Sequence, residues 1–346
     1  MNKLGYRAGD WAEVRSTDEI LASLDERGCL DGLPFMPEML QHCGRRFRIF
    51  KSAHKTCDTI ATHQSRHMRN AVHLEGLRCG GEAHSGCQAG CLLFWKEAWL
   101  KPVRPSTTYT AETHQTVGNG DSRCDLEKLA SATRVYSVGQ PNEDARYFCQ
   151  ATEILRATTP LRWWDLRHYV KDLSSGNVRL RDFVKYVLLA AFNVIVRLHP
   201  HMRLYPYMPG LLREKTPTEV LNLQPGELVQ IRSNDEIMRT LNTKRRNRGL
   251  WFDVEMGAFC GETFPVLRRV EKIIDDKTGR LINLPSDCII LEDVMCSGCL
   301  SRNRLFCPRS IYPYWREIWL KRTNGGSQSL QRSSAGARSA APHDRS

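Results

Sequence analysis

Polar and apolar positions alternate from the start of the chain, where Trp11 and Glu13 interleave with Ala12 and Val14 in the two-residue period of a short strand. A helix is expected immediately after it. Ser16 with Glu19 three residues on makes a capping box, Ile20, Leu21 and Leu24 supply the apolar face, and Gly28 is the stop. Pro34 and Pro37 bracket a turn, Glu38 to Gln41 fits one helical turn, and Gly44 releases the chain into Phe47–Phe50. Further strands are predicted at Val72–Leu77 and Leu92–Leu100. On the last of these Trp95, Glu97 and Trp99 would share one face.

The same order of signals returns later. Gly9, Arg15-Ser16, Asp18-Glu19-Ile20, Phe35, Glu38-Met39, Cys43-Gly44, Leu74-Glu75 and Cys79 each have an identical counterpart 217 residues on, at Gly226, Arg232-Ser233, Asp235-Glu236-Ile237, Phe252, Glu255-Met256, Cys260-Gly261, Leu291-Glu292 and Cys296. After a three-residue insertion Cys87 matches Cys307, and Trp95-x-Glu97-x-Trp99 matches Trp315-x-Glu317-x-Trp319. A register held over that length implies a tandem duplication of a unit of roughly 95 residues.

Between the copies the pattern changes. Residues 103–142 are rich in Pro, Thr, Ser and Gly without periodicity and read as linker; 143–222 read as helical, with helices expected at 145–155, 161–173 and 180–198. The apolar run Val184–Leu198 carries Lys185, Asn193 and Arg197 and is shorter than the roughly 20 apolar residues of a membrane span, so a buried helix is expected. Trp163-Trp164 is expected to dock a helix. The expected organisation is α+β: tandem small β units at 1–102 and 223–323, a helical segment joining them, and a Ser/Gly/Ala/Arg-rich disordered tail at 324–346.

The unit resembles SH3-like barrels in its Gly9-Asp-Trp-Ala-Glu-Val-Arg15 opening strand and in the expected small bent antiparallel sheet, which implies an SH3-like fold for each copy. From "GLPFMPEML" to "FWKEAWL" it also resembles a recurring group of uncharacterised bacterial proteins, a likeness that implies no activity.

Composition adds little to the fold but bears on chemistry. The net charge of +12 leans towards an anionic partner, and its one dense run is Lys244, Arg245, Arg246 and Arg248, absent from the first copy. A nucleic-acid partner would meet that run; a protein partner is the stronger expectation. The N-terminus carries no secretory apolar core, so a cytoplasmic location is expected and the thirteen cysteines read as thiols, metal ligands or redox groups, not as structural disulfides.

Three cysteines recur in both copies, and each copy offers a fourth. The expected metal ligands are Cys43, Cys79, Cys87 and Cys91 in the first unit and Cys260, Cys296, Cys299 and Cys307 in the second, sets suited to tetrahedral zinc or to an iron–sulfur cluster. His54-Lys-Thr-Cys57 occurs only in the first copy, which makes His54 and Cys57 candidates for an extra ligand or a catalytic pair; His84 inside the Cys loop is another. Trp95, Glu97 and Trp99, with Trp315, Glu317 and Trp319, are candidates for an aromatic cage around a cation. No Walker loop, dinucleotide-binding glycines, nucleophile elbow or His-Glu-x-x-His is present, which disfavours most large enzyme families. Two functions follow: a metal-stabilised tandem-unit scaffold holding a partner, or a zinc or iron–sulfur enzyme or redox accessory protein using the first cluster.

Overall fold

The computed structural model describes residues 5–103, 124–135, 146–199, 205–206, 208–213 and 215–323. The expected tail and most of the expected linker lie outside them. The molecule is mixed α+β, built mostly of small antiparallel sheets.

In the first unit β1 (Trp11–Val14) leads through the Ser16–Glu19 capping box into α1 (Thr17–Leu21). Strands β2 (Arg46–Ser52), β3 (Lys55–Cys57), β4 (Ser65–Met68), β5 (Ala71–Leu74), β6 (Trp95–Lys96) and β7 (Leu100–Pro102) follow. Their five-stranded sheet runs β6-β5-β2-β1-β7, so the first strand pairs with the last. Glu97–Trp99 is a 3-10 turn just before β7, not part of a strand as the sequence pattern suggested.

Between the units, α2 (Leu126–Ala132) falls inside the expected linker. No helix forms over 146–155, the described part of the helix expected at 145–155, although its periodicity is helical; the chain there makes a short strand at Arg146–Tyr147 and then turns. Tertiary contacts override the local pattern. The Gln150 amide plugs into the first unit, donating to Pro34 O and Phe94 O at 3.0 and 2.9 Å and accepting from Phe94 N at 2.8 Å, while Cys149, Ala151 and Ile154 join that unit's core. β8 (Thr158–Pro160) then adds to β4, giving a second sheet β8-β4-β3. Helices α3 (Arg167–Ser174) and α4 (Leu180–Val196) come next. α4 is not the buried helix its composition suggested: only Val196 is buried, and Leu180, Val184, Leu188, Phe192 and Ile195 form an exposed stripe at helical spacing. Trp163 and Trp164 are exposed as well, packing edge-on against each other. No helix among the described residues is long and apolar enough to cross a membrane.

The later half repeats the earlier pairings. β9 (Leu228–Ile231), α5 (Asn234–Met238) behind the Ser233–Glu236 capping box, β10 (Thr263–Ile274), β11 (Leu281–Leu291) and β12 (Leu320–Arg322) give a sheet β11-β10-β9-β12. The bridge Ile289–Trp315 stands where β5 and β6 pair Val72 with Trp95. The cores also correspond: Phe35 meets Trp95 and Trp99 edge-on at 6.1 and 5.1 Å, and Phe252 meets Trp315 and Trp319 at 6.0 and 5.2 Å.

The contacts between the units are reciprocal. Thr59 donates to Asp276 at 2.6 Å and Arg78 reaches Met295 Sδ at 2.8 Å, and in each pair the partners occupy equivalent positions, 217 apart. Off that line Cys87 Sγ accepts from Ile274 N at the end of β10.

Candidate metal centre

Among the described residues, the group of potential ligand atoms gathered within 4.8 Å of one another is Glu38, Cys79 and His84. Glu38 comes from the 3-10 turn Pro37–His42, which Pro37 starts. Cys79 is held by its N–H to Cys91 O at 2.8 Å. His84 ends the 3-10 turn Glu82–His84, entered through Gly81 at φ 81° and left through Ser85 at φ 52°. A Cβ on Gly81 would lie 1.9 Å from Cys87 O, so only glycine lets the loop close and aim His84 back at Cys79.

Cys79 Sγ donates to Glu38 Oε1 at 3.2 Å; His84 Nδ1 is 3.9 Å from that sulfur and 4.0 Å from that oxygen. Ligands around tetrahedral zinc stand about 3.5 Å apart, given bonds of about 2.0–2.3 Å. The three spacings bracket that value within half an ångström. Glu38 Oε2 is buried and has no hydrogen-bond partner, a costly state that a cation would relieve. Burial, and then the Glu38 charge, push the Cys79 thiol well up, so without a metal it is a proton donor to Glu38.

The second unit keeps the carboxylate and the thiol, Glu255 and Cys296, but uses them differently. Glu255 accepts from Ser297 Oγ at 2.6 Å, Leu300 N at 2.8 Å and Ser301 N at 2.9 Å. Its oxygens are occupied by the longer loop, which also brings no histidine there.

Of the eight expected thiol ligands, Cys79 alone belongs to the gathered group. Cys91 is its neighbour through the backbone bond; Cys87 Sγ accepts from Ile274 N at 3.4 Å; Cys43 lies near Thr17. In the second unit, burial raises Cys260 to about 12, and Cys299 donates to Ser297 O at 3.6 Å. Glu38 was absent from the expected ligands although its signal was visible, since it recurs as Glu255 in the same register as the cysteines.

His54 and Cys57 are both buried, at the junction of the units. His54 Nε2 lies 3.2 Å from His168 O and 3.3 Å from Asp172 Oδ1. Beside it Lys55, fully buried, donates to Asp172 Oδ2 at 2.5 Å and to Leu305 O at 2.7 Å, with the Tyr169 and Phe306 rings over its ammonium. The expected cage is corrected: all four tryptophans are buried core residues, leaving no ring face for a free cation, and Glu317 accepts from Leu221, Asn222 and Leu223 N–H groups and from Arg269. Lys244, Arg246 and Arg248 are exposed around a short hairpin, with Arg245 over Trp251. Arg248 shares a shallow cavity with the carboxylates Glu219 and Asp287, which oppose a phosphate.

No protein-family model, curated protein or solved structure matches the chain.

Proposed function

We propose that this is a zinc-binding protein of two SH3-like units, paired about their internal two-fold, that holds a protein partner and carries its metal in the first unit only. The observation that carries the reading is the contrast between Glu38 and Glu255: one carboxylate has a buried oxygen without a partner beside a thiol and an imidazole, while the other is fully capped. The mixed O/S/N donor set suits zinc better than an iron–sulfur cluster, which calls for thiolates. The SH3-like assignment is supported by the first strand lying beside the last in each unit and the 3-10 turn ahead of the final strand, the β3–β4 hairpin of the first unit being diverted into a second sheet. The partner assignment rests on the exposed apolar stripe of α4, which no described residue covers.

Elemental analysis with a visible spectrum, on protein purified without oxygen, tests the metal. One zinc per chain is expected, lost in Cys79→Ser and His84→Ala and retained in Cys296→Ser. Absence of metal in the parent chain, or loss in Cys296→Ser, overturns the reading. Iron with a broad band near about 400 nm, where thiolate-to-iron charge transfer falls, favours the redox alternative. A zinc enzyme is the second reading, favoured by one observation: three gathered ligands leave a fourth position for water or substrate.

A further inference from the structure

The exposed apolar residues of α4 follow a stricter spacing than an amphipathic helix needs. Val184, Leu188, Ala191, Ile195 and Leu198, the last in the turn that ends the helix, are exposed and stand four, three, four and three residues apart. That is the heptad alternation of a seam along which one helix lies against another. The opposite side of the helix is already fixed to the molecule. Val196 is buried, Phe183 stacks on Phe306 at 5.2 Å, and the Asn193 amide donates to Tyr205 O at 2.7 Å and accepts from Tyr205 N at 2.8 Å. Docking against the seam therefore orders little that is not ordered beforehand.

We propose that the partner held by α4 is a second copy of this chain, the two α4 helices lying antiparallel, seam to seam; this rests on reading the stripe as a protein-docking surface. Area is sufficient. Leu180, Val184, Leu188, Phe192, Ile195 and Leu198 are 43–77% exposed. They present roughly 600 Å² per chain, so two copies together remove about 1,200 Å² from water, the lower end of what specific stable interfaces bury.

Charge and size set the direction. Arg181, exposed, holds the heptad place before Val184, and a parallel pair would set it against itself. The same pair would set Ala191 on Ala191 and leave a gap where the helices meet. An antiparallel pair centred between Leu188 and Ala191 instead places Leu188 on Ala191 of the partner subunit and Val184 on Ile195 of the partner subunit, large against small. A lipid surface fits less well, since an interfacial helix keeps a charged face towards the headgroups and α4 packs that side on the molecule.

The test is sedimentation velocity of the full chain, from submicromolar to tens of micromolar. A reversible dimer is expected. Leu188→Glu, with an unchanged circular dichroism spectrum, should raise the dissociation constant at least about 100-fold, because both copies lose a buried leucine. Adding Ala191→Lys to Leu188→Glu should tighten the dimer again, since the antiparallel register brings opposite charges together in two places; no recovery overturns that register. A dimer indifferent to Leu188→Glu overturns the proposal. So does a parent chain that is monomeric throughout, and the fluorescence of a hydrophobic dye on that monomer then separates the two readings. Dye bound by the parent and lost in Leu188→Glu leaves the stripe open to a different protein, whereas no dye bound means that the chain covers its own stripe and removes the docking surface as well. A monomer that co-sediments with phosphatidylserine vesicles only while Leu188 is intact overturns both in favour of lipid.

Discussion

Replacing Asp172 with alanine removes the only carboxylate among the described residues bonded to the Lys55 ammonium and leaves that group with Leu305 O, His168 Nδ1 at 3.4 Å and two aromatic rings, all buried. Breaking a buried pair from one side costs about 3–5 kcal/mol. A separate route gives an upper bound, because the variant can avoid a lone buried charge by releasing the lysine proton. From an unfolded lysine near 10.4 that release costs about 4–5 kcal/mol at pH 7, at about 1.4 kcal/mol per unit. The two agree, and urea denaturation at pH 7 should show a loss of this size. The pH dependence is the sharper test. A lysine neutral when folded and charged when unfolded makes the unfolded state bind the extra proton, so the variant should regain about 1.4 kcal/mol per pH unit between pH 7 and 9 relative to the parent. Lys55→Met with Asp172→Leu should recover most of the loss, since two apolar groups need no partner. A loss below about 1 kcal/mol, or a double variant no better than Asp172→Ala alone, would refute the charge argument.

Gly81→Ala should abolish metal binding, because its Cβ collides with Cys87 O and the loop aiming His84 must reopen; equilibrium dialysis against zinc reads this, and unchanged affinity would count against the proposed centre. His73, fully buried with Nδ1 2.9 Å from Leu93 O, is held by burial down to about 3 from its ordinary 6.5. It stays neutral in the folded state while the unfolded chain gains a proton, so stability should fall by about 1.4 kcal/mol for each unit below pH 6.5, towards pH 3, and His73→Phe should remove that share of the slope. Leu188→Glu, at a residue 64% exposed on α4, should change the unfolding free energy of the isolated chain by no more than about 0.5 kcal/mol. A larger loss would mean that the stripe is covered in the free protein.

What could be read in the sequence was local or repeated. Both capping boxes are marked by Ser and Glu three apart, and the first unit's strands 11–14 and 46–52 lie where alternation and glycine release placed them. What could not be read depends on distant partners. The periodicity of 145–155 was helical, but Gln150 finds its bonds at Pro34 and Phe94. The stripe of α4 showed an apolar face without showing that no described residue covers it. The cysteine spacing signalled a metal-like loop, yet the donors gathered with Cys79 are Glu38, forty-one residues earlier, and His84 inside the loop. Spacing reports which ligands are near along the chain, not which side chains a sheet and a turn bring face to face.

On the proposed two-fold pairing, the residues that meet at equivalent positions restrict which halves can pair. Two copies of the first half, docked the same way, would set Arg78 against Arg78, and two copies of the second would set Asp276 against Asp276, each a like-charge clash where the intact chain has Arg78 on Met295 and Thr59 on Asp276. Like charges brought together at an interface disfavour the wrong partner. Separated halves mixed in equal amounts should therefore recombine as one of each kind, and a swapped oligomer formed by exchanging halves between chains would keep the same first-with-second match.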